Sequence, residues 1–153
     1  MASKLQHIEK SEIKRSKALP PTDFTARAKV VKVNDGDTCD LVFTYNQSLM
    51  RYKCRLAGID TPELSEGRKA LKARDFLVWL CTGNDAEDFN RRTKPYDKET
   101  IQDMLDQSQN IVNAEFEDVD YYRRPLVTLS NSTGGPTFND QLISNGYASV
   151  YQR

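Results

Sequence analysis

The sequence predicts a mainly β domain of the α+β class, and three observations lead to this prediction. Apolar and polar side chains alternate over residues 24–57, which is typical of strands with one buried face. The apolar spacing then lengthens to that of a helix over residues 66–81. Two further strand-like segments and a last short helix follow. A chain of 153 residues is long enough to form one such domain around its own core.

The first three strands are predicted to form an antiparallel meander, because two short turns of polar residues divide the alternating stretch. In the third strand, Arg51, Lys53 and Arg55 lie on the side opposite to the apolar residues. The meander therefore has one polar, basic face. Its strands are expected at residues 24–33, 39–45 and 49–57.

Two to three helices and two strands complete the predicted fold. The helix over residues 66–81 ends before Gly83, and residues 98–106 are a candidate for a short second helix. Thr137 is a suitable N-cap for a final helix that ends at Gly146. Five short strands with a helix after the third are the order of a five-stranded Greek-key barrel, the OB-fold. The last two strands are expected at residues 111–116 and 124–129.

The chain is predicted to consist of an N-terminal arm and a single domain. Residues 1–22 carry few large apolar side chains and end in Pro20-Pro21, so we expect a flexible or weakly helical basic arm. The domain is expected over residues 23–153. Within it, residues 83–109 are acidic and look like an insertion between the first helix and the fourth strand. A surface loop is the simplest interpretation, and a wall of the groove, a lid or a partner-binding segment are the alternatives.

The overall charge argues against a protein that simply coats nucleic acid, because 22 basic and 22 acidic side chains give a formal net charge of zero. The charges are nevertheless zoned, since residues 51–74 carry seven basic and three acidic side chains. No apolar run is long enough to predict a membrane span. The first residues lack the apolar core of a signal peptide, so we expect an intracellular protein, and we expect a monomer.

Carboxylates are concentrated in two predicted loops. The first is Asp35-Gly36-Asp37-Thr38, between strands one and two, and the second ends the segment Arg55–Glu63, after strand three. Neither loop contains His or Cys, so the available donors are hard oxygens, which favour calcium, with magnesium or manganese as alternatives. Arg55 precedes Asp60 by five residues, and a guanidinium beside a cation site is suited to bind a phosphate ester.

Each of these motifs has a simpler interpretation when it is taken alone. Asp-Gly is a common turn dipeptide, Asp-Thr-Pro-Glu can begin a helix, and an arginine on a strand is usually solvated. The combination of all three on this strand order is much more specific than any one of them.

Together these motifs resemble the staphylococcal nuclease family. The matching stretches occur in the family's order over residues 24–151, and the first two are highly characteristic as a pair. The resemblance implies an OB-fold nuclease that uses calcium to hydrolyse phosphodiester bonds of DNA and RNA and leaves 3′-phosphate ends. The matching stretches are Val33–Thr38, Arg55–Glu63, Tyr121–Leu126 and Leu142–Ala148.

The resemblance assigns roles to the two carboxylate loops. It implies that Asp37 and Asp60 are carboxylate metal ligands and that Thr61 is a carbonyl ligand. It implies that Glu63 positions or activates the attacking water. Arg55 is implied as the first arginine that binds the phosphate.

The third stretch departs from the family pattern Tyr-Gly-Arg-Gly-Leu. The alignment matches Tyr122 with the tyrosine and Arg124 with the second catalytic arginine, but Arg123 and Pro125 replace the two glycines. Arg123 is therefore the alternative for the second arginine. Tyr151 lies near the position of nucleotide-contacting tyrosines in the family, and both Tyr122 and Tyr151 are expected to contact substrate, with aromatic packing as the alternative for Tyr151.

Three functions are compatible with these residues. The first is an active nuclease. The second is an inactive binding module on the same fold, for nucleic acid or protein, as in the degenerate repeats of tudor-containing relatives. The third is an unrelated OB-fold protein that binds oligonucleotides. Degenerate modules typically lose site carboxylates or arginines, and the presence of Asp37, Asp60, Glu63 and Arg55 favours the enzyme.

Overall fold

Five strands of the protein close into a barrel, so the predicted mainly β, α+β barrel is confirmed. The computed structural model describes residues 4–151, and the parts of the predictions that concern residues 1–3 and 152–153 lie outside the described residues. In chain order the elements are β1 (Phe24–Asp35), β2 (Thr38–Tyr45), β3 (Ser48–Leu56), β4 (Ile59–Asp60), α1 (Arg68–Cys81), α2 (Lys98–Gln107), β5 (Val112–Val119), β6 (Pro125–Asn131), α3 (Phe138–Ser144) and β7 (Ser149–Val150).

The barrel closes through a parallel contact that brings distant parts of the chain together. The strand order is β1-β2-β3-β6-β5, and all neighbouring pairs are antiparallel except β3 with β6. Arg55 on β3 lies opposite Thr38 on β2 and opposite Leu126 on β6. The turn before β2, the end of β3 and the beginning of β6 therefore meet at one end of the barrel.

The core fills the barrel and continues beneath α1. The inward sides of the strands bury Leu41, Phe43 and Leu129, and α1 adds Phe76 and Leu77. The three cysteines are buried and free, as their apolar surroundings in the sequence predict. Within residues 4–151, no helix is both long and apolar enough to cross a membrane.

The acidic segment 83–109 contributes to the core, which differs from the expected surface loop. Its helix α2 packs on β1 and buries Ile101 and Leu105. Phe89, from the loop before α2, is buried against Phe76, with ring centroids 5.3 Å apart. The helix could be predicted from its apolar spacing, but a single Phe in a polar stretch has no periodicity that reveals its burial.

The N-terminal segment also differs from the flexible arm predicted for residues 1–22. Ile8 is only 2% exposed and packs against Val31 of β1 and Val42 of β2, with Ile13 at the edge of the same cluster. These valines point out of the barrel, so their apolar surface needs a cover, and the N-terminal segment provides it. The described part of the arm is thus folded onto the barrel.

Part of the basic face predicted for the meander is covered by this segment. Arg51 donates from Nη1 to the carbonyl oxygens of Lys10 and Ile13, at 2.8 and 2.9 Å. Arg51 and Arg15 both bind the carboxylate of Asp40, whose side chain is fully buried. Burial alone would raise the pKa of Asp40, but hydrogen bonds from the two arginines outweigh it and hold that pKa below its ordinary value.

Candidate functional site

The two carboxylate loops lie next to each other at the end of the barrel where β2, β3 and β6 meet. The backbone N–H of Thr61 donates to Asp37 Oδ2 at 3.1 Å, and the N–H of Leu56 donates to the Asp37 carbonyl oxygen at 2.8 Å. Gly36 allows this close approach, because a Cβ atom at that position would lie 2.8 Å from Cβ of Ala73 and 2.9 Å from Cγ2 of Thr61. A side chain at position 36 would therefore push the two loops apart.

Arg55 lies between the two carboxylates that the sequence predicts as metal ligands. Its Nη2 atom is 3.0 Å from Asp60 Oδ1 and 3.7 Å from Asp37 Oδ2. Its Nη1 atom donates to the carbonyl oxygen of Ile59 at 3.0 Å, which fixes the direction of the guanidinium. The structure thus brings together Arg55, Asp37, Asp60 and Thr61, four of the residues predicted for the site.

The donors in these loops suit a hard divalent cation. Asp37 and Asp60 offer carboxylate oxygens and Thr61 offers a backbone carbonyl oxygen, which are the ligand types that calcium and magnesium prefer. Among residues 4–151, no three His, Cys, Asp or Glu side chains form a group that could hold a metal. A cation here would therefore depend on two carboxylates, a carbonyl and solvent or substrate oxygens rather than on a complete protein cage.

Asp35 places another carboxylate beside Asp37, and it was not among the predicted site residues. Its Oδ1 atom accepts the backbone N–H of Asp37 at 3.1 Å. Burial, with the neighbouring Asp37, raises the pKa of Asp35 to about 6. Burial alone would raise the pKa of Asp37 too, but hydrogen bonds and the charge of Arg55 outweigh it and lower that pKa. The Asp-x-Asp spacing in the sequence is the signal that could have identified Asp35.

A cleft of about 660 Å³ adjoins Arg55 and contains most of the remaining predicted residues. Arg124, Tyr122 and Tyr151 all line it, and the Arg55 guanidinium carbon lies 5.4 Å from the Tyr151 ring centroid. Glu63 is exposed and is outside the lining of this cleft, on the loop that leads to α1. Its backbone N–H donates to Glu66 Oε2 at 2.7 Å.

The position of Arg124 is set by Asp120, which was also not among the predicted site residues. Asp120 Oδ2 accepts from Arg124 Nε at 2.7 Å, and Asp120 Oδ1 accepts from the backbone N–H groups of Tyr122 and Arg124 at 2.8 and 2.9 Å. One carboxylate therefore shapes the turn and holds the arginine. An Asp at the beginning of a tight turn is the signal that could have identified it.

A family model described as staphylococcal nuclease homologue matches residues 53–153. The chain belongs to this family. The matched range includes Arg55, Asp60, Thr61, Glu63 and Arg124, whereas Asp37 lies before it. No curated protein matches the chain.

In this member of the staphylococcal nuclease homologue family, the two candidate arginines of the third matching stretch, Tyr121–Leu126, occupy different positions. Arg124 lines the cleft with Arg55, whereas Arg123 does not. Arg123 has a φ of 65°, the left-handed region that favours the glycine of the family pattern. Pro125 is the first residue of β6, a position that tolerates the missing N–H. Both replacements are therefore accommodated without moving Arg124 out of the cleft.

Proposed function

We propose that this protein is a nuclease that uses a divalent cation, calcium by preference, to hydrolyse phosphodiester bonds of DNA, RNA or both. The observation that best supports this function is the position of Arg55, between Asp37 and Asp60 and at the wall of a cleft that Arg124 also lines. Two arginines on one cleft are suited to a phosphodiester, whose charge increases during hydrolysis.

In this mechanism the two arginines stabilise the transition state. Arg55 is only 15% exposed in its side chain, but its partner Asp60 is 55% exposed, so a phosphate oxygen can replace that carboxylate at small cost. Arg124 keeps its Nε on Asp120 and lines the cleft. Both arginines then bind the equatorial phosphate oxygens more tightly as negative charge develops on those oxygens in the transition state.

The carboxylate loops supply the remaining groups. A cation held by Asp37, Asp60 and the carbonyl of Thr61 would offset charge on the phosphate and lower the pKa of bound water. Glu63 is proposed to accept a proton from the attacking water or to orient it. Tyr122 and Tyr151 are proposed to contact the nucleotide, since both line the cleft and present aromatic faces. The expected products carry 3′-phosphate ends.

A titration of cleavage against metal tests this function directly. Single-stranded and duplex DNA and RNA are incubated with the protein in calcium, magnesium, manganese or chelator, and the product ends are determined. Cleavage with calcium and none with chelator is expected. Glu63→Gln should reduce the rate by about 100-fold or more, which is the usual contribution of general base catalysis. Glu99→Gln, the same change at an exposed position on α2, is the matched control and should cleave normally.

A binding module is the second candidate, and the position of Glu63 favours it. Glu63 is exposed and lies outside the lining of the cleft that Arg55 and Arg124 share. Binding of nucleic acid without cleavage in any metal would support this candidate and contradict the nuclease. Normal cleavage by a folded Glu63→Gln protein would contradict the proposed mechanism.

A further inference from the structure

A second groove adjoins the cleft and is lined by positive charge. It has a volume of about 220 Å³ and lies between residues 15–20 of the N-terminal segment, β3 and the turn before β6. Arg124 lines both the cleft and this groove, so the two are adjacent at that side chain. None of the described residues that line the groove is acidic. Its basic residues are Arg15, Lys17, Lys53, Arg123 and Arg124.

Most of the charge in this groove is not neutralised by the protein. Within residues 4–151, Lys17, Lys53 and Arg123 take part in no ion pair. The cleft differs, because three acidic residues line it beside its two arginines, namely Glu117, Asp118 and Asp120. A concave surface with several like charges and no counter-charge attracts anions, and a chain of phosphates fits it better than a single ion.

The turn before β6 presents Arg123 to the groove and Arg124 to both the groove and the cleft. Asp120 holds this turn, since its carbonyl oxygen accepts the N–H of Arg123 at 3.0 Å and its carboxylate binds Arg124. Arg123 is exposed, and its φ of 65° is unfavourable for any residue with a Cβ atom. The turn therefore holds the charged side chain of Arg123 at the groove although its backbone conformation favours glycine.

The other wall of the groove is anchored rather than mobile. The N–H of Ser16 donates to the carbonyl oxygen of Arg51 at 2.7 Å, and the hydroxyl of Tyr52 donates to the carbonyl oxygen of Leu19 at 3.3 Å. These bonds tie both ends of the wall to β3. Lys17, between them, is therefore presented from a preformed surface, which lowers the entropic cost of binding a ligand there.

We propose that this basic groove binds the phosphate backbone of a single-stranded nucleic acid that continues out of the cleft. Among residues 4–151 the two sites share Arg124 alone, and a flexible strand can follow that path. The proposal rests on the proposed function for the placement of substrate in the cleft. It adds a binding surface, built partly by the N-terminal segment, that holds nucleotides outside the cleavage position.

The test measures the affinity of the full chain for a fluorescent single-stranded DNA 12-mer in chelator, over a range of salt concentrations. The triple variant Lys17→Ala, Lys53→Ala, Arg123→Ala should bind about tenfold to hundredfold more weakly, and the slope of log K against log salt should decrease in magnitude by about 2. The control removes the same charge from positions outside both sites and should bind as the wild type does. It combines Arg92→Ala, Lys94→Ala and Lys98→Ala.

A single variant, Arg123→Gly, separates binding from folding. Glycine suits the left-handed backbone, so this protein should be at least as stable as the wild type while its affinity and salt slope both decrease. Unchanged affinity and slope in the triple variant, equal losses in the control, or no binding of the 12-mer by the wild type would each overturn the proposal. If the wild type cleaves nucleic acid but the triple variant binds the 12-mer normally, only the groove proposal is contradicted. If the triple variant binds more weakly but the wild type does not cleave, only the proposed nuclease function is contradicted.

Discussion

Arg51 and Arg55 lie four residues apart on the same side of β3, yet the structure uses them differently. Their side chains are similarly buried, with exposed fractions of 10% and 15%, and each binds a carboxylate through Nη2, at 2.8 and 3.0 Å. The difference lies in the partners. The partner of Arg51 is Asp40, which is fully buried, whereas the partner of Arg55 is Asp60, which is largely exposed.

This comparison shows that the covering element decides what an arginine can do. The N-terminal segment lies over Arg51 and accepts two of its hydrogen bonds, so that arginine cannot change partners without unfolding part of the chain. Arg55 lies at the wall of an open cleft and can exchange Asp60 for a ligand. We therefore expect Arg51 to contribute to stability and Arg55 to contribute to activity.

The largest expected effect is on catalysis by Arg55. Arg55→Ala should reduce the rate of phosphodiester cleavage by about 1,000-fold, because a charged donor to the transition state is lost. Arg55→Lys should rescue little of it, since an ammonium cannot reproduce the paired donors of the guanidinium. Single-turnover rates at saturating metal measure both. A folded Arg55→Ala protein that cleaves at the normal rate would contradict the assignment of Arg55 to activity and Arg51 to stability.

Arg51→Ala should instead destabilise the fold by about 3 kcal/mol, because it leaves the buried Asp40 carboxylate with Arg15 as its remaining ion-pair partner. Urea unfolding at neutral pH measures this loss. The fraction of the variant that remains folded should cleave at the normal rate. An unchanged unfolding midpoint would show that the buried cluster is not a unit of stability.

Ile8→Ala tests the cover over Arg51 without changing any charge. Loss of a nearly fully buried isoleucine should cost about 2–4 kcal/mol, with the lower value expected at the edge of the domain. Leu19→Ala is the matched control, because Leu19 is exposed, and it should change stability by less than about 0.5 kcal/mol. Equal, small effects of both changes would indicate that the N-terminal segment does not stabilise the barrel.

The smallest expected effect is on the dependence of stability on pH, and it has opposite signs for two carboxylates. The pKa of Asp35 is raised to about 6 from an ordinary 3.8, so the folded protein keeps this proton while the unfolded chain loses it, and stability falls as pH rises from about 4 to about 6. Asp35→Asn should remove that fall, so the stability of the variant relative to the wild type should be greater at pH 7 than at pH 4.

Asp40 should behave in the opposite way, because its pKa in the folded protein is lowered. Its stabilisation is present above the ordinary pKa of 3.8 and is lost as pH falls through the lower, folded value. Asp40→Asn should therefore be destabilising at pH 7 and lose that penalty only in strong acid. Urea unfolding of both variants and the wild type, from strong acid to pH 7, measures these differences. Parallel curves for the three proteins would contradict both assignments.

Much of the fold was predictable because its signals are local. The alternation over β1 to β3 and the helical spacing over α1 and α2 each depend on neighbouring residues, and the structure confirms all five elements. The same holds for the two carboxylate loops, which the meander brings together through the register of Thr38 with Arg55. The roles of Asp37, Asp60, Thr61 and Glu63 in catalysis stay predictions.

Other features were not predictable because their partners are distant in the sequence. The burial of Phe89 depends on Phe76 and Tyr147, which belong to other elements. Asp120 holds Arg124 through a side-chain contact across a turn. The residues that flank this turn predict that a turn forms, but they do not predict its geometry. The N-terminal segment has few apolar residues, so its composition resembles that of a flexible arm.

The sequence alone determined where strands, turns and charged loops occur, because periodicity and turn chemistry are properties of a few consecutive residues. The tertiary structure decided which of the basic residues on β3 are covered and which are accessible. Arg51 donates to the carbonyl oxygen of Lys10, 41 residues earlier in the chain, and no local pattern in β3 encodes that contact. Burial depends on what packs over a residue, and that is settled only when the whole chain has folded.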